Sequence, residues 1–149
     1  VAAIAPVMAT VAERWAYSLK PAQPVPLLLI HGTDDPILPY NGGFVTFQGQ
    51  TFGKAVALRQ TAKLWAVHNG CASVPTISDL VGPDADMRVH SITYDACKDG
   101  AVVTAITIEG GGHTWPGGPQ YLAEWLIGKT CRSFDASAYI VDFFLRHRR

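Results

Sequence analysis

The run Val25 to Ile30 (VPLLLI) contains no polar side chain, so a strand built from it has two faces to bury. An α/β sheet covered by helices on both sides meets that demand, and an antiparallel sheet with one wet face does not. The segment that follows, His31 to Gly43 (HGTDDPILPYNGG), is dense in Gly, Pro, Asp and Asn and reads as a loop at the strand's C-terminal end. In open α/β sheets that edge carries the functional sites. A second β-branched and apolar run, Ala101 to Ile108 (AVVTAITI), ends the same way, in the glycine-rich loop Gly110 to Gly118 (GGGHTWPGG).

Around these two units the chain alternates. Ala2 to Met8 (AAIAPVM) reads as a short buried strand, Val11 to Ser18 is of mixed polarity, and the prolines from Pro21 to Pro26 mark a connector. Lys54 to His68 is expected to be a helix with Leu58, Ala62, Trp65 and Ala66 on one face, stopping at Asn69-Gly70. Cys71 to Asp86 is expected to be irregular, with Pro75, Gly82 and Pro83 along it. Met87 to Tyr94 alternates like a strand, and Lys98-Asp99-Gly100 signals a turn before the second apolar run. Phe134 to Leu145 is the last expected helix, burying Phe134, Ala138, Val141 and Phe144, with Asp135 in its first turn and Arg146 to Arg149 at its end. The expected fold is therefore α/β, a mostly parallel sheet flanked by helices. It has too few strands for a complete doubly wound domain.

Composition bounds the function. Of 149 residues, 48% are hydrophobic and 16% charged, and the formal net charge is zero, so neither disorder nor electrostatic capture of nucleic acid or an anionic membrane is expected. No apolar run approaches the roughly 20 residues of a spanning helix. Val1 to Thr10 lacks a basic flank and reads as a strand out of a longer chain rather than a signal peptide. The three cysteines, Cys71, Cys97 and Cys131, show no CxxC spacing. Cys71 and Cys97 flank a loop-and-strand region and could pair, and three reduced thiols are equally compatible with the composition.

Each of the two loops presents one residue of a hydrolytic triad. Asp35 stands in the first and His113 in the second. A serine hydrolase needs a carboxylate to fix the imidazole tautomer, and an imidazole to take the serine proton and return it to the leaving group. Asp before His fits the chain order Ser, Asp, His of α/β-hydrolases. The triple glycine before His113 permits positive φ and close backbone approach, which would let the histidine loop curl over the sheet edge.

The blocks HGTDDPILPYNGG, Asn69-Gly70-Cys71, Tyr94 to Cys97 (YDAC) and GGGHTWPGG resemble the polyhydroxybutyrate-depolymerase-type esterases, a family of α/β-hydrolases that includes feruloyl and acetyl xylan esterases. The likeness runs from AAIAPVM to the final SFDASAYIVDFF. It implies that residues 1–149 are the C-terminal portion of one esterase domain, with Asp35 as acid and His113 as base. Asp34 stands where the family has a small residue, and either adds negative charge near the site or caps a turn, the turn being favoured. No G-x-S-x-G occurs in the chain, so the likeness implies a nucleophilic serine and oxyanion hole in an N-terminal portion not included here.

By itself the chain is then expected to be inactive, and to associate with its missing half or with itself. The resemblance also implies a secreted enzyme without cofactor or metal, acting on a plant cell-wall feruloyl or acetyl ester or on a polyester. It further implies a Cys71–Cys97 disulfide, leaving Cys131 either a buried free thiol or paired with the missing N-terminal half. Trp115 and Tyr40, close to the proposed acid and base, are candidate substrate-binding residues. Stacking and loop packing weigh evenly for Trp115, and packing is favoured for Tyr40. His31 opens the HG turn and is expected to have a strand-end role, His68 and His90 have no ligand partner at zinc spacing, and His147 belongs to the basic helix end, so all four are expected to be structural. Two further readings stay open: another α/β-hydrolase of the peptidase or dienelactone-hydrolase type, and a truncated module that only binds.

Overall fold

A computed structural model describes residues 1–18, 20–81 and 85–148. Gly82, Pro83 and Arg149 of the sequence reading lie outside the described residues. Strand β1 (Leu27–Gly32) is buried at every position. Its side chains alternate between two cores: Leu28 and Ile30 join Ile106, Ile108, Phe134, Ala136 and Phe143 on one face of the sheet. Leu27 and Leu29 join Leu58, Ala62, Ala66, Val103 and Ala105 on the other. The period of two thus divides one apolar run between two helical layers, as its lack of polar residues demanded.

The strands that follow are β2 (Gly43–Phe47) and β3 (Gln50–Ala55), then helix α1 (Leu58–His68), β4 (Thr76–Val81), β5 (Val89–Tyr94) and β6 (Val103–Ile108). A four-residue helix α2 (Glu124–Ile127) and helix α3 (Ala136–Arg146) complete the order. The main sheet runs β1-β6-β5-β4, while β2 and β3 form a separate hairpin. Alpha1 lies against the Leu27/Leu29 face and α3 against the Leu28/Ile30 face.

The sheet corrects one expectation: it is mixed rather than mostly parallel. Beta1 and β6 are parallel, but β5 pairs antiparallel with both β6 and β4. Parallel neighbours need a crossover of a dozen or more residues, whereas β5 and β6 are joined by a short link through the turn at Lys98–Gly100. Ala2 to Met8, expected to be a short buried strand, instead meets β1 through two isolated parallel bridges, Ile4 to Leu27 and Val7 to Ile30, and only Met8 of it is buried. Pro6 has no N–H to give and interrupts the ladder.

Three element expectations change. The helix placed at Lys54 begins at Leu58, because Lys54 and Ala55 end β3. The segment expected to be irregular contains β4, an edge strand exposed over most of its length and so without an apolar signature. In α3 the buried face is Ala136 and Phe143, with Tyr139 and Ile140 partly covered. Ala138 is exposed, and Val141 and Phe144, expected inside, are 57% and 41% exposed. Two phases at helical spacing were available in that segment. The structure uses the one that continues from Ala136, and Phe134 packs in the core from outside the helix. Asp135 is the N-cap, its carboxylate accepting from Ala138 N–H at 3.0 Å.

Alpha1 stops where Asn69 leaves it. Fully buried, Asn69 accepts from Val25 N–H at 3.1 Å and donates to Val25 C=O at 2.8 Å, taking the place of a neighbouring strand for the connector. Cys71, just beyond, is disulfide-bonded to Cys97, and Cys131 is a buried free thiol. No helix of the described residues is long and apolar enough to cross a membrane.

Candidate active site

The parallel register sets Gly32 beside Ile108, so the loops after β1 and β6 leave the sheet as neighbours. Glycine then lets them touch. A Cβ on Gly32 would overlap the Gly111 carbonyl, and one on Gly112 would overlap the Ile127 carbonyl. Only Gly110 of the three consecutive glycines has positive φ (78°), so it makes the turn while Gly111 and Gly112 make room. Asp34 N–H donates to Gly111 C=O at 2.9 Å. Gly110 N–H donates at 2.8 Å to the Thr33 hydroxyl, which itself donates to Asp34 at 2.8 Å. Asp34 therefore serves the turn, as its position suggested.

Asp35 follows with its side chain wholly buried. Its Oδ1 accepts from the N–H groups of Ile37 and Leu38 at 2.8 and 2.9 Å, closing the turn on itself. Its Oδ2 lies 2.8 Å from Nδ1 of His113. An ionised carboxylate can only accept, so Nδ1 carries a proton, and in the neutral ring Nε2 keeps its lone pair. Burial raises the pKa of Asp35, but the hydrogen bonds from His113, His31 and Leu38 outweigh it and hold the carboxyl at about 2. At neutral pH an ionised acid thus faces an imidazole whose side chain is 31% exposed.

The histidine loop is gripped from its far side. His113 N–H donates to Ile127 C=O at 2.6 Å, and the Tyr121 hydroxyl donates to His113 C=O at 2.8 Å. Gln120 donates to the carbonyls of Leu122 and Gly128 and accepts from Thr130 N–H, tying the segment beyond Gly118 together. Sequence reasoning passed over these residues. It read His31 only as a structural strand-end residue, whereas its Nε2 lies 3.0 Å from Leu38 C=O and 3.2 Å from Asp35 Oδ2. The HxxxD spacing, four residues across a tight turn, was the available signal.

Asp35 and His113 are therefore brought together, and the other candidates are placed around them. Tyr40 sets its ring edge-on to His31, 6.1 Å between centroids, and its hydroxyl lies 2.9 Å from that of Thr107 on β6. Trp115 donates its indole N–H to Ser137 Oγ at 3.0 Å while 44% of its surface stays open. Of the remaining histidines, His90 lies 3.4 Å from Glu109 and His68 meets Trp65 edge-on. Among the described residues, no group of three or more His, Cys, Asp or Glu could hold a metal ion. A buried anion on a proton-bearing imidazole with an open second nitrogen can move a proton to and from a group at Nε2.

No family model matches the chain. "Feruloyl esterase B" of Piromyces equi is 35% identical over 102 residues, covering 63% of this chain and 16% of that protein. "Putative esterase NocK" of Nocardia uniformis subsp. tsuyamanensis is 29% identical over 137 residues, covering 85% of this chain and 39% of that protein. The chain thus spans well under half the length of these curated relatives. Their names support an esterase at low identity.

Proposed function

We propose that this chain supplies the acid and the base of a secreted serine carboxylic ester hydrolase, and is the C-terminal portion of its α/β-hydrolase domain. The observation that carries the reading is the 2.8 Å contact between His113 Nδ1 and a fully buried Asp35, made between loops 78 residues apart in sequence. In the proposed reaction a serine supplied by the N-terminal portion attacks the ester carbonyl as His113 Nε2 takes its proton. The same proton passes to the departing alcohol, leaving an acyl-serine. Water then attacks the acyl-serine, again deprotonated by Nε2, and the serine recovers the proton as the acid leaves. Asp35 stays ionised throughout and stabilises the imidazolium.

The proposed substrate is a feruloyl or acetyl ester of plant cell-wall material, or a polyester. The name of the Piromyces relative favours the first of these. Trp115, with its open indole face, is the proposed stacking residue. Tyr40, its hydroxyl engaged by Thr107, is given a wall-forming role. The Cys71–Cys97 disulfide supports an oxidising compartment.

The test joins this chain to the coding sequence upstream of Val1 and assays nitrophenyl esters and methyl ferulate. Ester turnover that depends on a G-x-S-x-G serine is expected. An intact serine with no turnover of either ester would leave the chain a binding module or a hydrolase of another class.

A further inference from the structure

His31 occupies the end of β1, where its side chain is fully buried. Its Nδ1 has no hydrogen-bond partner. A buried, unpaired ring nitrogen carries a desolvation cost that an apolar residue of similar size would avoid. Packing alone therefore does not account for an imidazole here. Nε2 does: it faces two acceptors, Leu38 C=O at 3.0 Å and Asp35 Oδ2 at 3.2 Å. A proton on Nε2 would point at the carbonyl, with the carboxylate oxygen close beside it. The edge-on ring of Tyr40, tethered to β6 through Thr107, flanks the imidazole.

We infer that His31 is a positioning residue of the acid–base pair: its Nε2–H spans the acid turn from Leu38 to Asp35 and fixes the carboxylate rotamer that presents Oδ2 to His113. Oδ1 is already held by the N–H groups of Ile37 and Leu38. With His31 on Oδ2, the carboxylate keeps its orientation on three donors when His113 swings toward a reacting group. The acid turn then moves as one body with β1, because His31 is a residue of that strand. The kinetic arm of the test rests on the proposed ester hydrolysis. The spectroscopic arm does not.

In the 149-residue chain, imidazole nitrogen–proton correlation spectra report each tautomer directly. The expected result is a neutral His31 protonated at Nε2 and bare at Nδ1, with the Nε2 signal displaced by Asp35→Asn. An Nδ1-protonated His31, or an Nε2 signal indifferent to Asp35→Asn, overturns the inference. In the serine-containing parent, His31→Leu should lower kcat on the order of tenfold to a hundredfold with KM unchanged. His31→Gln, which restores an N–H donor, should recover most of that loss. Equal losses in both variants, or a loss confined to KM, would mean that His31 only fills space. If His31→Leu does not fold, the tautomer measurement and the Gln variant decide the question. A parent with no ester turnover defeats the proposed function and leaves the tautomer result standing.

Discussion

Gly32 and Gly111 pass so closely that no side chain fits between them: a methyl group on Gly32 would overlap the Gly111 carbonyl. The contact is backbone on backbone, so nothing can rotate away. Gly32→Ala should destabilise the chain by about 3 kcal/mol, the upper range for overpacking, and should part the two loops. Gly110→Ala is the control. It has open space around it and only a positive φ of 78° to offend, so its cost should be nearer about 1–2 kcal/mol. Thermal melts rank the two, and the His113 imidazole resonances report whether the contact with Asp35 survives. A Gly32→Ala chain as stable as the Gly110→Ala chain would contradict the close approach.

The roles proposed for Asp35 and His113 make a kinetic forecast in the serine-containing parent. Asp35→Asn keeps the size of the side chain but can present an N–H where Oδ2 accepts. That favours the imidazole tautomer with its proton at Nε2, which cannot take a proton from serine. Turnover should fall by about 10⁴-fold. His113→Ala should lose at least as much, with far-ultraviolet circular dichroism unchanged. Normal turnover in either variant would remove that residue from the mechanism.

Asp35 also links stability to pH. Its folded pKa of about 2 lies below the ordinary 3.8, so the folded state binds this proton less readily than the unfolded chain. The resulting stabilisation is fully present above pH 4 and is lost as the pH falls through the folded value near 2. A depression of this size corresponds to about 2 kcal/mol. Denaturant melts at pH 7, 4, 3 and 2 should show wild type losing its advantage over Asp35→Asn across that window. A gap that stays constant down to pH 2 would mean that the carboxylate is not held by these donors.

The sequence made the two strand–loop units legible because their signals are local: an apolar run demands burial on two faces, and a Gly/Pro/Asp cluster demands a turn. Asp35 and His113 followed from chain order and resemblance, and they do meet. The β2–β3 hairpin was not read, although Gln48 and Gly49 both take positive φ, at 48° and 77°, as a two-residue hairpin turn requires. Its strands are almost wholly exposed, and Gln-Gly is a weaker turn signal than Asn-Gly. The antiparallel half of the sheet was missed for another reason. Strand direction depends on connection length, and the reading of Cys71 to Asp86 left out β4. The bond from Tyr121 to His113 C=O depends on side-chain direction in a loop, which no periodicity encodes.

Asn69 gives a stability prediction free of any functional reading. Its amide satisfies both polar groups of Val25 in a fully buried position. Asn69→Leu removes both bonds and strands the Val25 N–H and C=O, at about 1–3 kcal/mol for each. Asn69→Asp keeps the acceptor but loses the donor, and should fall between wild type and Asn69→Leu at neutral pH. Reducing Cys71–Cys97 acts on the unfolded state instead. With the two cysteines 26 residues apart, chain entropy gives roughly 3.5 kcal/mol. Melts with and without reductant separate the two effects, which should couple rather than add, because Asn69 stands two residues from Cys71 and its C=O accepts from the N–H of Lys98, next to Cys97.

The edge beside β1 leads to the last prediction. Ile4, Pro6 and Met8 bond to the β1 side through Pro26, Leu28 and Ile30. In a parallel ladder the intervening residues point their backbone groups the other way. The N–H and C=O groups of Ala3, Ala5 and Val7 take no hydrogen bond among the described residues. Their side chains are small, uncharged and packed on the core, so nothing on this edge repels a second strand. The chain should therefore associate in solution, edge to edge or with a segment upstream of Val1 when that is supplied. Sedimentation velocity at rising concentration should show a dimer or larger species. Ala5→Lys, a charge at the centre of the edge, should shift the population toward monomer. A wild-type chain that sediments as one monomer throughout would contradict an open edge.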